Sequence, residues 1–354
     1  MKFSIALNMH RIDSNEDMRK IIRDSRDLLR IADDGGMEAA WAAEHHCIEL
    51  TIAPNPFVLL TDWAHHTKNL RLGVGVAVAP YWHPIRIAGE AAMTDLYSDG
   101  RLELGLARGA FPYEFDRMAP GITPDNARSR LFEMLPLLKQ LWCGDVQHEG
   151  EYWQFPSATS VPKPIQVGGP PLWVAARDPA SFDFALKNNI NIMSTPLSKP
   201  FSEVENLAVK LAAALKTNPG AKRPKWMVLR TSGVAKTKSH IDNLVNSSIL
   251  FGKRFEGLFS TAGSVINGFP QVESIDTGAA GGHNREAVRK AMVVGTPAEV
   301  IEKLKAYESV GVDQYCYSAN YDNDPKRTRE SLELFVEHVM PAFKEDVQQK
   351  HVAL

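Results

Sequence analysis

The chain contains 354 residues, of which 44% are hydrophobic and 23% are charged, and its net charge is −2. That length suits one large α/β barrel, which commonly exceeds about 250 residues, or two smaller domains. The balanced charge argues against the basic surface that nucleic-acid binding needs. Three widely spaced cysteines fit neither a disulfide framework nor a zinc motif, and no stretch reaches the roughly 18 apolar residues of a membrane span. We therefore expect a cytoplasmic protein without a nucleic-acid or membrane partner.

The first third of the chain alternates between strand and helix patterns. Residues 70–79 form a nearly continuous apolar run, which is typical of a parallel strand buried on both faces. Residues 18–32 instead repeat apolar side chains at helical spacing. Together these patterns predict strands at 3–8, 37–43, 70–79 and 102–106, and helices at 18–32, 57–66 and 85–97.

The remainder of the chain continues this alternation, with two interruptions. Residues 143–168 are expected to form an irregular excursion or a small hairpin. Residues 253–290 are rich in Gly, Ser and Phe and too long for an ordinary connection, so we expect an insertion that acts as a lid over a site. The other predicted elements are strands at 172–176, 190–194, 227–235 and 312–318, and helices at 124–142, 179–188, 201–215, 240–251, 297–310 and 325–343. The helix at 297–310 is expected to begin with a capping box formed by Thr296 and Glu299 and to end at Gly311.

About eight strands alternate with helices, and no linker or break in composition divides residues 1–354. The sequence therefore predicts a single α/β domain with a (β/α)8 TIM-barrel fold and insertions, notably at 253–290. A doubly wound open sheet is the alternative. It is disfavoured because no Gly-x-Gly-x-x-Gly motif follows the first strand.

The most informative chemistry follows the second strand, where Glu44, His45 and His46 stand in a row. In a barrel, side chains just past the carboxyl ends of the strands gather at one rim. The same rim would receive Arg108, a candidate ligand for an oxyanion or a phosphate, whose simpler alternative is an ion pair with Glu114. It would also receive Ser181, near the amino-terminal end of a helix, where free amides attract phosphate. The simpler interpretation of that helix start is that Asp178 only caps the helix.

Three other interpretations remain open for these residues. The Glu-His-His cluster could be a strand-end cluster that neighbouring groups satisfy, without a catalytic role. His45 and His46 could bind a metal, but His10 and His83 are the only further histidines placed to help. Serine hydrolysis is disfavoured because no Gly-x-Ser-x-Gly elbow precedes a helix.

Several motifs, in order along nearly the whole chain, resemble the bacterial luciferase-like family of flavin-dependent oxidoreductases, whose members are (β/α)8 barrels. The Glu-His-His triplet and the Arg-Gly pair are most similar to the luciferase alpha-subunit branch, which binds reduced FMN supplied by a separate flavin reductase. The motifs are Trp41-Ala-Ala-Glu44-His45-His46, His83-Pro84, Ser98-Asp-Gly100-Arg101, Gly105-Leu-Ala-Arg108-Gly109, Val294-Gly-Thr296-Pro297-Ala-Glu299 and Gly311-Val312-Asp313.

This resemblance implies roles for individual residues. His45 matches the family histidine assigned to proton transfer during the oxygen chemistry, and Glu44 is expected to orient it or to pair with an arginine. A cis peptide is expected at Gly75-Val76, beneath the flavin ring. The cofactor-binding residues implied in this way are Gly75, Val76, Arg108, Arg128, Ala176, Arg177 and Ser181. No metal ligand is implied.

The chain also departs from luciferase. Ala107 stands where luciferase has a reactive cysteine, which makes light emission less expected, and Arg177-Asp178 replace an acid and a serine, so the phosphate contacts there are expected to be rebuilt around Arg177. The resemblance implies a two-component, cytoplasmic, homodimeric FMN-dependent monooxygenase that uses O2 on a small, largely apolar carbonyl or related compound. The alternatives are a deazaflavin-dependent hydride-transfer oxidoreductase and a non-catalytic flavin-binding protein.

Overall fold

The computed structural model of the chain describes residues 1–259, 265–271, 284–319, 321–322 and 324–344. Within these ranges the parallel strands at the centre are long apolar runs buried on both faces, as their sequence predicts. The strands are β1 (Lys2–Leu7), β2 (Ala39–Ala42), β3 (Arg71–Val78), β4 (Leu102–Ala107), β5 (Val146–Glu149), β6 (Gln154–Ala158), β7 (Leu172–Ala175), β8 (Asn191–Ser194), β9 (Trp226–Val234), β10 (Val265–Ile266), β11 (Phe269–Pro270), β12 (Val293–Gly295) and β13 (Gln314–Ser318).

Eight of these strands close into a barrel. They are hydrogen-bonded in the order β1, β2, β3, β4, β7, β8, β9 and β13, and β13 pairs with β1 to complete the circuit. All eight run parallel, and β12 adds to β9 outside the circuit. The (β/α)8 prediction is therefore confirmed, and the doubly wound sheet is wrong.

The helices surround the barrel, and seven of the described ones begin with a proline. Proline fits the first turn because its fixed φ suits a helix and its missing N–H has no intrahelical acceptor there. The helices are α1 (Met18–Asp34), α2 (Pro56–His66), α3 (Pro84–Tyr97), α4 (Pro112–Met118), α5 (Pro124–Cys143), α6 (Pro179–Lys187), α7 (Ser202–Thr217), α8 (Lys238–Phe255), α9 (Arg285–Ala291), α10 (Pro297–Ser309) and α11 (Pro325–Leu334).

The barrel interior is filled by large side chains. Trp41 and Trp173 meet edge to face with ring centroids 5.4 Å apart, and Met193 and Met227 belong to the same cluster. Below them the indole of Trp173 donates to buried Glu103, which also forms an ion pair with Arg71. Because the interior is packed, a ligand cavity can form only above this plug, at the carboxyl ends of the strands.

The structure corrects several boundaries and adds elements that sequence patterns did not predict. The excursion at 143–168 contains the antiparallel hairpin β5–β6, as expected. The capping box at Thr296 and Glu299 is present. The short helix α4, the strand β12 and the helix α9 were not predicted. Helix α8 is also longer than predicted and runs into the segment assigned to the insertion.

The predicted lid at 253–290 is only partly within the described residues. The end of α8, the hairpin β10–β11 and α9 are described, and the amide of Glu49 donates to the carbonyl of Gly268 in the hairpin (2.7 Å). Residues 260–264 and 272–283, which include the Gly-rich stretch 278–282, lie outside the described residues. The lid therefore stays a prediction.

None of the helices in the described ranges combines the length and the apolar character needed to cross a membrane.

Candidate active site

A cavity of about 580 Å³ opens where the strands end. It is lined by residues from the exits of β1, β2, β8, β9 and β13, and its size is ordinary for a site that binds a small molecule. Asn8, His45 and Thr195 follow β1, β2 and β8, whereas Leu229 and Thr231 lie within β9 and Ser318 ends β13. The predicted convergence of strand exits therefore holds for His45, the residue on which the sequence interpretation depends most.

A buried carboxylate holds His45 in place. Glu114 is 1% exposed, and its Oε1 lies 3.0 Å from Nδ1 of His45 and accepts a hydrogen bond from the amide of His46 (2.7 Å). A carboxylate acceptor favours the tautomer in which Nδ1 carries the proton. The other ring nitrogen, Nε2, is then left for chemistry in the cavity.

Glu114 reaches His45 because it lies in the first turn of α4. Sequence reasoning missed both the helix and this role, and offered Glu114 only as an alternative ion-pair partner of Arg108. That ion pair is not among the contacts of Glu114, and the guanidinium of Arg108 instead donates to the carbonyl of Pro124 (3.1 Å). The available signal was Pro112 followed by an acidic residue, a common start of a helix.

Glu44 has a different partner from the one expected. Its Oε1 lies 2.7 Å from Nε2 of His46, and its Oε2 accepts hydrogen bonds from the amide of Val78 (2.8 Å) and from the indole of Trp82 (2.9 Å). The expectation that Glu44 orients His45 or pairs with an arginine is therefore wrong. Its contacts join the exits of β2 and β3, so Glu44 acts on the site by fixing the backbone of two strand ends.

Tyr81 lies between the two carboxylates. Its ring meets that of His46 edge to face at 5.3 Å. Burial, and then the negative charges of Glu114 and Glu44, raise the pKa of the Tyr81 phenol far above its usual value. The phenol therefore stays neutral at all physiological pH values.

The two remaining histidines near the rim are separate from this network. His10 packs against Phe251 (5.5 Å between ring centroids), and burial lowers its pKa. His83 caps α3 and packs against Trp153, and burial lowers its pKa as well. Throughout the part of the chain that the structure describes, no group of three or more His, Cys, Asp or Glu side chains is arranged to hold a metal ion.

A second group of candidate residues lies where β4, α5 and α6 meet. Arg108 contacts the first residue of α5, and Arg128, one turn further along α5, lies 3.6 Å from the carboxylate of Asp178. Asp178 in turn accepts hydrogen bonds from the amide and the hydroxyl of Ser181 (both 3.1 Å). The structure therefore brings Arg108, Arg128 and Ser181 into one neighbourhood.

This neighbourhood fits a phosphate group. The Nε of Arg128 is buried without a hydrogen-bond partner, and α6 presents its amino-terminal end there. A phosphate offers acceptors to such donors, and guanidinium groups bind it well. Asp178 is a cap of α6, as the simpler interpretation held, and its negative charge is offset by Arg128.

The neighbours of Asp178 in sequence have other contacts. Arg177 lies 3.6 Å from Glu203 of α7, no closer than Arg128 lies to Asp178, so its expected role in holding a phosphate stays a prediction. Ala176 is buried, and its carbonyl accepts a hydrogen bond from Ser194 (2.7 Å). Ala176 therefore offers no polar side chain at the exit of β7, whereas the guanidinium of Arg177 is partly exposed there.

The expected cis peptide between Gly75 and Val76 is present. Both residues are partly exposed although the rest of β3, apart from its first residue, is buried. A Cβ atom at position 75 would lie 3.2 Å from the ring of Trp41, which is tighter than ordinary contact. Glycine at this partly exposed position therefore leaves open a space that a larger side chain would fill, which suits the face of a planar ring.

Phenylalanine rings form the wall of the cavity opposite the strands. Phe251 and Phe255 lie in the last turns of α8, Phe259 lies one turn beyond its end, and all three line the cavity. Phe255 also meets His45 (6.4 Å) and Phe111 (5.4 Å) edge to face. The imidazole of His45 therefore faces a largely apolar space.

Comparison with known proteins gives a family and a close relative. The profile of the family described as luciferase-like monooxygenase matches residues 1–314. The chain is 42% identical over 356 residues to the oxygenase component of the flavin-dependent trigonelline monooxygenase of Acinetobacter baylyi, and the alignment covers 100% of this chain and 99% of that protein.

Solved structures share the fold. A monooxygenase from Streptomyces bottropensis superposes with a TM-score of 0.83 at 24% identity, covering 97% of this chain and 100% of that one. The oxygenating constituent of the 3,6-diketocamphane monooxygenase of Pseudomonas putida, solved in complex with FMN, gives a TM-score of 0.74 at 19% identity and covers 96% and 98%.

Proposed function

The chain belongs to the luciferase-like monooxygenase family, and on that premise we propose that it is the oxygenase component of a two-component enzyme. It uses reduced FMN and O2 to oxidise a small, largely apolar carbonyl or related compound. The observation that carries this proposal is the placement of the His45–Glu114 pair on a largely apolar cavity where the barrel strands end. The partly exposed Gly75 and Val76 and the arginine neighbourhood of Arg108 and Arg128 support a flat, phosphorylated cofactor.

The proposed cofactor contacts follow from that geometry. Arg108, Arg128 and Ser181 hold the phosphate, and the Gly75–Val76 surface supports the ring, with Ala176 and Arg177 at the adjoining exit of β7. Reduced flavin, when bound, supplies the electrons that activate O2. The chain's own task is to orient the cofactor and the substrate and to keep water away from them.

The proposed catalytic residue is His45. Its Nε2 moves a proton to or from the reacting oxygen, since an imidazole can serve as acid and as base near neutral pH. Glu114 is a positioning residue that fixes the ring through Nδ1. Glu44 contributes indirectly, because it holds the strand ends from which His46 and Tyr81 extend.

The substrate is expected to be small and to have a large apolar surface, because phenylalanine rings and Leu229 form much of the cavity wall. The relative from Acinetobacter baylyi acts, by its name, on trigonelline, an N-methylpyridinium carboxylate. That relationship adds planar heteroaromatic compounds to the carbonyl compounds that a substrate screen must include.

The proposal includes two protein partners, a flavin reductase and a second copy of the chain. A separate flavin reductase meets this chain transiently, which the description of its relative as an oxygenase component supports. A second copy of the chain is proposed to cover an apolar surface formed by Met93, Leu96, Tyr97, Val161, Ile165 and Val167, which are all exposed. The loop that carries the last three is bound to α3, where the amide of Ile165 donates to Asp95 (2.9 Å).

The proposed setting is the cytoplasm, and residues 1–354 are proposed to form one domain. All three cysteines are free, which agrees with a reducing compartment. Sedimentation of the purified chain tests the assembly: a mass of twice 39.2 kDa is expected. Tyr97→Glu should shift it towards a monomer, whereas a monomeric unaltered chain would exclude the homodimer.

Anaerobic titration with reduced FMN and with a reduced deazaflavin tests the cofactor. We expect saturable binding of reduced FMN, weakened by Arg108→Gln and unaffected by the distant surface variant Lys326→Gln. A preference for the deazaflavin would favour the hydride-transfer alternative instead.

A screen with a flavin reductase and isotopically labelled O2 then tests the reaction. The proposal expects one labelled oxygen atom in the product of a carbonyl or heteroaromatic compound. Binding of reduced FMN without substrate oxidation across that screen would favour the non-catalytic alternative.

A further inference from the structure

The short helix α4 holds the loop that carries His45 at three successive residues. It does so through two adjacent side chains, those of Tyr113 and Glu114. The Oε1 atom of Glu114 lies 3.0 Å from Nδ1 of His45 and accepts a hydrogen bond from the amide of His46 (2.7 Å). The hydroxyl of Tyr113 donates to the carbonyl of Cys47 (3.0 Å). One turn of helix therefore fixes a side chain, an amide and a carbonyl of consecutive residues.

The backbone of Cys47 has a left-handed conformation, with a φ of 61°. Residues other than glycine rarely adopt this region, because their Cβ then crowds a carbonyl oxygen, and they keep it where the surrounding structure enforces it. The side chain of Cys47 is exposed, so burial of the thiol does not explain the conformation. The hydrogen bond from Tyr113 favours it instead, since a change of backbone conformation at Cys47 that swings its carbonyl away breaks that bond.

The ring of Tyr113 is itself held firmly. It is 4% exposed and packs in a cluster with Ile48, Leu50 and Leu258. The guanidinium of Arg117, one turn further along α4, lies 3.6 Å from the centre of the ring and donates to the carbonyl of Tyr113 (2.8 Å). A ring enclosed in this way does not follow the loop when the loop moves, so its hydroxyl marks a fixed position for the carbonyl that it binds.

We propose that Tyr113 is a positioning residue for His45. By holding Cys47 in its left-handed conformation, it sets the course of the loop so that Nδ1 of His45 and the amide of His46 reach the same oxygen of Glu114. This inference rests on the proposed function, since it takes His45 as the proton-transfer residue. It goes further because Tyr113 is not among the residues that line the cavity and acts on the site through the backbone of a neighbour.

Amide hydrogen exchange and imidazole nitrogen shifts of the full, flavin-free chain test this role. Tyr113→Phe removes the hydroxyl and keeps the ring. We expect the His46 amide to exchange at least about tenfold faster, because the loop opens locally, and the nitrogen shifts of His45 to move towards a mixture of tautomers. The amide of Val78, which donates to Glu44 (2.8 Å), should exchange as in the unaltered chain. Unchanged exchange at His46, unchanged shifts of His45, or equal acceleration at both amides would each overturn the proposal.

Tyr321→Phe is the matched control. The hydroxyl of Tyr321 also donates to a backbone carbonyl, that of Ser232 (2.9 Å), and the side chain is 2% exposed. It packs in a different cluster, with Leu244 of α8. This variant loses a buried hydrogen bond of the same kind, so it should lower stability by a similar amount and leave the shifts of His45 unchanged. If Tyr321→Phe alters those shifts as much as Tyr113→Phe does, general loss of stability is the cause and the proposal is overturned.

A second substitution at Cys47 tests whether its conformation carries the effect. In Tyr113→Phe, turnover of a compound that the screen identifies should fall by about tenfold, as for the loss of other orienting contacts, and binding of reduced FMN should be unaltered. Asparagine and glycine adopt the left-handed conformation at less cost than cysteine. Adding Cys47→Asn or Cys47→Gly to Tyr113→Phe should therefore restore the shifts of His45 and most of the lost turnover. Restoration by neither would overturn the proposal.

The outcomes separate this proposal from the proposed function. The exchange and shift measurements need neither flavin nor O2, so they do not depend on catalysis. A chain in which Tyr113→Phe releases the His46 amide and disturbs His45, but which oxidises no compound in the screen, would refute the proposed function alone. A chain that oxidises its substrate at the same rate with and without Tyr113→Phe would refute the positioning role alone.

Discussion

His45–Glu114 and His46–Glu44 are neighbouring imidazole–carboxylate pairs with different surroundings. In both pairs the carboxylate is buried and the imidazole is mostly buried. Glu44 accepts two more hydrogen bonds, from the amide of Val78 and the indole of Trp82, so its carboxylate connects the exits of β2 and β3. Glu114 instead is the hydrogen-bond partner of His45, which lines the cavity.

The comparison shows that residue type does not determine the role of these groups. Two adjacent histidines, each paired with a buried glutamate, have different surroundings: His46 belongs to a group of contacts that joins strand ends, and His45 is the residue for which we propose proton transfer. What differs is where each imidazole points. His45 meets Phe111 and Phe255 at the cavity wall, and His46 meets Tyr81 under the loop that follows β3.

The sharpest test of this difference is to remove each imidazole in turn. His45→Ala should lower turnover by about 10²- to 10⁴-fold, the usual contribution of a general acid or base. Binding of reduced FMN, measured by anaerobic titration, should remain within a few-fold, because the proposed phosphate contacts, Arg108, Arg128 and Ser181, do not involve His45.

His46→Ala is the matched control. It should reduce turnover far less than His45→Ala and should mainly lower stability, since it leaves the carboxylate of Glu44 without one of its donors. Equal losses of turnover in the two variants would contradict the assignment of separate roles.

Glu114→Gln should have the next largest effect. An amide can donate to Nδ1 of His45 and favour the wrong tautomer, so turnover should fall by about 10- to 100-fold, as for other groups that orient a reacting side chain. Nitrogen chemical shifts of the imidazole report the tautomer directly. An unchanged tautomer together with unchanged turnover would remove Glu114 from the mechanism.

The sequence was sufficient to predict the barrel and the approximate bounds of its strands. Long apolar runs such as that of β3 are visible in a single chain because both faces of such strands are buried. It also placed His45 at the rim and the cis peptide at Gly75-Val76, the latter through family resemblance.

The partners of these residues could not be predicted. Glu114 lies 69 positions from His45, in a seven-residue helix too short to show periodicity. Glu44 was expected to act on the adjacent histidine, but successive residues that leave a strand point in different directions. Which carboxylate meets which imidazole depends on how separate loops pack, and no local pattern carries that information.

Glu44→Ala would test the structural half of the comparison. It leaves the amide of Val78, the indole of Trp82 and the ring of His46 without their acceptor, and a buried unsatisfied donor costs about 1–3 kcal/mol. We expect the free energy of unfolding in urea to fall by about 3 kcal/mol, because the cavity left at position 44 admits some water. Glu44→Gln keeps an acceptor oxygen and should lose less. Unfolding free energies equal to that of the unaltered chain would show that the clasp contributes nothing.

Tyr81 lies near both pairs. Its replacement by phenylalanine should have the smallest effect on stability, and only in alkaline solution. Burial and the charges of Glu114 and Glu44 hold its folded pKa far above the ordinary value of 10.0. Once the pH passes that value, the unfolded phenol loses its proton while the folded one keeps it, so stability falls as pH rises. The difference in unfolding free energy between the unaltered chain and Tyr81→Phe should therefore shift in favour of the variant above pH 10.0.

Other buried tyrosines titrate equally in both proteins and cancel from this difference. A difference that is flat with pH would mean that folding does not raise the pKa of the Tyr81 phenol.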